Sequence, residues 1–300
     1  MERIGELAAF GTAICWTVSA VFFETASRRI GTAAVNFFKV CFAFALLFFT
    51  SWAIRGLPLP FDAPARSWLW MSLSGIVGFV VSDYFLFNAY VMIGSRTTML
   101  FLALSPPFTA LIGFLVLGDV MPPLGLAGMV LVCSGIAAAV LGRRRDPRVE
   151  KSKETPSLVK GYVFAFMAAM WQSVGMILTK LGAVDYDPIA GTQIRVLAGI
   201  VGFGVFALIS GNGRAVFVQA PRNAAGMRGT ALGAVFGPFL GVTLSVFALQ
   251  KTFAGTVSTL IGLTPVLIIP PSVFFLKQKV SVWEVLGAVL AVGGTVVFFL

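Results

Sequence analysis

The chain has 300 residues, of which 58% are hydrophobic and 11% charged, where a soluble domain carries about 25% charged residues to keep its exterior wet. Water is therefore not its main solvent. A net charge of +10 does not mark a nucleic-acid binder, because the Lys and Arg residues collect in short connections between apolar runs.

Taken in chain order, ten apolar stretches of about 20 residues are readable, the length that crosses a ~30 Å hydrocarbon core. The first four are Ile4 to Ala26, Ala33 to Ala53, Ser67 to Met92 and Ser95 to Leu117. Pro122 to Leu141, Leu158 to Lys180, Pro188 to Ile209 and Ala225 to Leu249 follow, then Ala254 to Leu276 and Val282 to Leu300. Strand alternation is absent and the runs are too long for barrel strands, so helices are the form that satisfies every backbone group in lipid. The expected fold class is all-α, a polytopic membrane protein of ten transmembrane helices.

The first stretch holds Glu6 and Trp16, with no basic region beyond Arg3 and no small-residue cleavage pattern, so it reads as a retained helix rather than a signal peptide. Cys15, Cys41 and Cys133 lie inside apolar stretches without paired spacing and read as free thiols. If the loops are assigned to alternate sides, one side carries 15 Lys and Arg and the other 5, with Lys39 and Arg195 inside helices completing the 22. The richer side is cytoplasmic by the positive-inside rule, which puts both termini outside. The basic run RRRDPRVEK is an orientation signal and solvated linker.

Laid against itself at one constant offset, the chain aligns positions 73 to 137 with 232 to 296 without a gap, pairing Gly78 with Gly237, Thr97 with Thr256 and Pro106 with Pro265. Earlier helices need slightly shorter offsets, 155 for Trp16 with Trp171 and 156 for Lys39 with Arg195. The expected organisation is a five-helix repeat over 1–142, a charged linker over 143–156 and a second repeat over 157–300. Five is odd, so the second copy enters the membrane upside down. Such inverted repeats are typical of secondary transporters, whose binding site lies between the copies near mid-membrane.

Pro106 and Pro265 fall at the centres of the fourth and ninth stretches. A break there is tolerable only against protein or a wet cavity, which makes these prolines either packing kinks or hinges. Trp16 and Trp171 occupy mid-helix positions where tryptophan is unusual, and read as core packing or as facing walls of a cavity. Tyr84, Tyr90 and Phe101 are weaker candidates for the same lining. Asp83 is the deepest acid, and charge at that depth faces a cavity or a partner. It is either a proton-binding carboxyl or an ion-pair partner of Lys39 or Arg195. Those two basic residues either snorkel or attract an anionic group such as a substrate carboxylate. Glu24, four residues before Arg28, reads as an interfacial ion pair.

The stretches AICWTVSAVFFE and AAMWQSVGMILTK, the basic residues Lys39 and Arg195, LSPPFTALIGFLVLGD with GLAGMVLVCSGI, and LTPVLIIPPSVFFL with LGAVLAVGGTV together resemble the EamA-type transporters of the drug/metabolite transporter superfamily over essentially the whole chain. The resemblance implies an inner-membrane exporter of small metabolites, with amino acids and their analogues one substrate class and xenobiotics another. Two positions depart from the family pattern. The glycine that commonly follows the tryptophan is Thr17 or Gln172, and the acid after the fourth and ninth helices is Asp119 but Gln278. No nucleotide-binding motif or histidine is present, so no cofactor or enzyme activity is expected. Small-molecule substrate, membrane lipid and a coupling proton are the expected partners.

Overall fold

A computed structural model describes residues 3–102, 104–141, 155–211, 213–267 and 281–297. Every regular element among them is helical. The first span is Ile4–Ile30, the second Thr32–Arg55 and the third Ala65–Ile93. The fourth is two pieces, Ser95–Leu102 and Ser105–Leu117, and the fifth is Pro123–Leu141. The sixth to eighth are Thr155–Gly182, Pro188–Ile209 and Ala224–Lys251. The ninth is again interrupted, Ala254–Ile261 and Thr264–Leu267, and the tenth is Val282–Val297. Six of these helices are long and apolar enough to cross a membrane unaided, and the shorter apolar helices supply the fourth, fifth and tenth spans. The linker arginines Arg143, Arg144, Arg145 and Arg148, and also Gln278, lie outside the described residues.

Two expected helices are thus broken, and the breaks explain the prolines. Pro106 is the second residue of Ser105–Leu117 and Pro265 the second of Thr264–Leu267. At that position the missing N–H is one no helix can pair, and the fixed φ is already helical. The chain turns through matching bonds, Leu104 N–H to Phe101 O at 3.0 Å and Leu263 N–H to Leu260 O at 3.2 Å. Carbonyls beside the prolines receive matching hydroxyls: Ser173 Oγ donates to Ser105 O at 3.1 Å, and Thr17 Oγ1 to Thr264 O at 3.4 Å.

A second irregularity recurs as well. The third span widens to i→i+5 hydrogen bonding over Ile76–Ser82, and the eighth over Val235–Gly241. The two segments are equal in length and coincide end to end under the offset that pairs Pro106 with Pro265. Such widened turns re-aim the side chains that follow them. The spans cross at glycine. A Cβ on Gly175 would lie 3.2 Å from Gly78 Cα, and one on Gly237 would lie 3.4 Å from Ser19 Cβ. Hydroxyls tie those crossings: Ser82 Oγ donates to Ala168 O at 3.0 Å, and Thr12 Oγ1 to Gly241 O at 3.2 Å.

These contacts correct one register. Hydroxyls and glycines in the first and sixth spans correspond at an offset of 156, the same as Lys39 with Arg195, so Trp16 matches Gln172 and Thr17 matches Ser173. The identity of the two tryptophans draws the eye to 155, one position and about 100° of helix away.

Candidate functional site

Where the widened third and eighth spans face the first, second, fourth, sixth and seventh, they border a cavity whose atom-free space, open solvent at its mouth included, is about 780 Å³. The third span contributes Gly78, Phe79, Asp83, Leu86 and Tyr90, and the eighth Gly237, Pro238, Val242, Ser245 and Leu249. Taken in order, each member of the second set is the repeat counterpart of one in the first. In the first span Trp16, Ser19 and Phe23 line the wall, and in the sixth Gln172, Met176 and Thr179. Both are stripes of one helix face. A smaller space of about 360 Å³ shares Trp16, Met99, Leu102, Gln172 and Met176 with the first and runs between the two helix breaks, ending on Ser105 and Thr264. One cavity thus draws equivalent positions from both halves.

Among the described residues, three charged side chains stand on its wall: Lys39, Asp83 and Arg195. Lys39 is 2% exposed. Its ammonium donates to Asp83 Oδ2 at 2.5 Å and to Asn36 Oδ1 at 2.8 Å, and lies 3.9 Å from the centre of the Phe87 ring. Asn36 also holds the third span by donating to Asp83 O at 3.3 Å. Burying an ammonium is tolerable only with such company.

Arg195 is treated differently. It is 8% exposed, sits 5.1 Å above the Phe79 ring, and has a buried Nε without a hydrogen-bond partner. One of its terminal nitrogens would be 3.2 Å from a Cβ on Gly78, so the absence of a side chain there gives the guanidinium its room. The position equivalent to Asp83 is Val242, and that equivalent to Asn36 is Thr192, whose hydroxyl is turned back to Pro188 O at 2.7 Å. The second half keeps the cation and lacks both of its acceptors.

Of the residues singled out by sequence, Trp16, Lys39, Asp83, Tyr90 and Arg195 are therefore brought together. Trp16 lies against the eighth span, where its indole would be 2.7 Å from a Cβ on Gly241. Trp171, Tyr84 and Phe101 are half-buried and stand outside this wall. Gln172 takes the place expected of Trp171, for the register reason given above. Tyr84 follows Asp83 on the helix and packs on Phe85, Phe164 and Phe206. Phe101 stacks on Tyr162 at 5.6 Å. Sequence reasoning missed Gln172, Ser19, Thr179 and Ser245, the polar part of the lining. A constant offset of 156, applied to whole helix faces, would have found Gln172 and Thr179 from Trp16 and Phe23.

Away from the cavity, ion pairs join the halves on the side of the termini. Lys180 Nζ and Asp119 Oδ2 are 2.5 Å apart, and the same oxygen accepts from Ala254 N at 3.4 Å, at the start of the ninth span. On the other side Glu24 pairs with Arg28 at 3.1 Å and accepts from Ser95 N at 3.2 Å, at the start of the fourth. Glu24 thus joins two spans beyond its ion pair. Back on the side of the termini, Arg55 bridges Asp62 at 2.6 Å and Asp187 at 3.4 Å, and Tyr186 Oη donates to Asp62 at 3.1 Å.

No curated protein matches this sequence. A solved crystal structure of a protein 18% identical in sequence superposes with a TM-score of 0.70, covering 99% of this chain and 97% of the other. That likeness supports the fold alone. The sequence model of the EamA-like transporter family matches residues 3–141 and again 159–300, nearly the whole length in two repeats, and the chain belongs to that family of membrane transporters.

Proposed function

We propose that this transporter exports small organic metabolites, amino acids or their analogues, across the inner membrane by alternating access between its two halves. One observation supports this above the others: a single cavity is lined by equivalent positions of two copies of one unit. Two similar units that enter the membrane in opposite senses have two similar arrangements, one open to each side. In this reading 1–142 and 157–300 are the moving units, joined by the linker 143–156. Pro106 and Pro265 are their hinges, and the Lys and Arg count puts both termini outside.

Binding falls to Trp16 and the charged groups Lys39, Asp83 and Arg195, with Trp171, Tyr84 and Phe101 as outer supports. The proton is the coupling ion, exchanged at Asp83. Two cations against one carboxylate on the wall disfavour the alternative of cationic-drug efflux.

The test is counterflow in proteoliposomes preloaded with a mixture of amino acids and organic acids. Saturable uptake of labelled solute against its own gradient is expected. Flux that rises linearly with concentration and shows no counterflow would exclude a carrier. Efflux indifferent to both Asp83→Asn and collapse of the proton gradient would remove the proton assignment.

A further inference from the structure

We infer that Arg195 is the anchor for a carboxylate, so that the substrate is a small organic acid whose apolar body lies among the aromatic and thioether side chains of the same cavity. The inference rests on the carrier reading and, among the amino acids and analogues proposed there, selects analogues without a free ammonium. Arginine has five N–H donors in a rigid fork suited to a carboxylate. Here the guanidinium stands on the wall of a cavity, its residue only 8% exposed, with Nε unpartnered. A buried charge of this kind is expensive unless something pairs with it.

The sequence-equivalent Lys39 is supplied with a carboxylate and an amide oxygen from the chain itself. At Arg195 the corresponding places hold Val242 and Thr192. Asp83 attracts the Arg195 guanidinium through space, but no hydrogen bond joins them, so the protein leaves the donors of this cation to be matched by something that comes and goes. Because Asp83 is engaged by Lys39, the lining among the described residues has no free carboxylate for a substrate ammonium, and a net positive wall favours an anion over a zwitterion. Phe23, Phe79, Phe87, Met99 and Met176 surround the remaining space and suit an apolar body.

Three matched pairs of probes test this on purified protein in detergent, by calorimetry: hippurate and hippuramide, phenylacetate and phenylacetamide, hexanoate and hexanamide. At least one acid should bind about tenfold or more tightly than its amide. Arg195→Gln should erase the preference, and Arg195→Lys should keep part of it. Val242→Asp, which adds a carboxylate to the same wall at the position equivalent to Asp83, should erase it without touching Arg195. Equal binding of acid and amide in all three pairs by the unaltered protein would overturn the inference. So would a preference that survives in both Arg195→Gln and Val242→Asp proteins that remain monodisperse. Counterflow of a neutral or zwitterionic solute without any acid preference would remove the anion anchor and leave the carrier standing, whereas absence of counterflow with every solute would remove the carrier itself.

Discussion

The two halves of this chain agree in places where agreement is hard to produce by chance and differ in the charged lining of the cavity between them. Helix breaks, widened turns, glycine crossings and the hydroxyls that tie them recur at fixed offsets. These features set the backbone path, which both units need in order to fit each other. The charged lining is not repeated: Lys39 has Asp83, whereas in the second half the position equivalent to Asp83 is Val242. A symmetric frame thus carries an asymmetric cavity wall, and under the inference drawn above Arg195 is the cation whose N–H donors are left for a ligand.

The largest expected effect comes from removing each cation in turn. Lys39→Met strips Asp83 of its partner, and breaking a buried pair from one side costs about 3–5 kcal/mol, near the lower figure here because the Asp83 side chain is 13% exposed. Arg195→Met removes a charge with no hydrogen-bond partner at Nε, so stability should change by no more than about 1 kcal/mol or rise. Thermal unfolding of both variants in one detergent measures the contrast. Equal losses would mean that the halves treat their cations alike, and the comparison would fail.

Moving the acid sharpens the same point. In Asp83→Val with Val242→Asp the carboxylate passes to the other half, pairing Arg195 and releasing Lys39. Carboxylate probes should then regain about tenfold preference over their amides, although Val242→Asp alone has none. Lys39 would replace Arg195 as the anchor. Calorimetric titration of the double variant decides this, and continued indifference to charge would show that the two basic positions are not interchangeable.

The frame itself can be probed through Thr17 and Ser173. Each hydroxyl shares its single proton with a carbonyl of its own helix, Ala13 O at 2.8 Å and Ala169 O at 3.0 Å. Loss of the bond across to the broken helix should cost about 1 kcal/mol in Ser173→Ala. It should cost less in Thr17→Val, whose cross-span contact is the longer of the two. Melting temperatures ordered the other way would show that the breaks are not held alike.

Much of this frame was legible in the sequence. Apolar length marked the spans, and the ungapped alignment of 73 to 137 with 232 to 296 marked the repeat, because lipid allows few alternatives to helices and Pro106 and Pro265 punctuate both copies. The widened turns at Ile76–Ser82 and Val235–Gly241 were not legible, since i→i+5 bonding leaves no compositional mark. The depth of Asp83 announced a partner, but choosing Lys39 over Arg195 required knowing how the second, third and seventh spans face each other. Trp171 misled because shared identity was weighed above shared helix face.

The smallest effect is expected where the halves meet in water. Asp62 lies in the connection between the second and third spans and meets Arg55, with Tyr186 and Asp187 of the other half beside it. Slight burial alone would raise its carboxyl, but the hydrogen bond and charge of Arg55 prevail and hold it below the ordinary value. A carboxyl lowered by folding adds stability above its unfolded value and loses it as pH falls through the folded one, so the contribution disappears below about pH 4. The side chain is 40% exposed, and solvent screening limits the pair to roughly 0.2–1 kcal/mol. Melting of the unaltered protein and of Asp62→Asn should differ by a degree or two at pH 6 and converge toward pH 3. Added salt should shrink the difference at pH 6. A gap that widens on acidification would mean that Asp62 is held neutral by its surroundings and that Arg55 joins the halves through Asp187 alone.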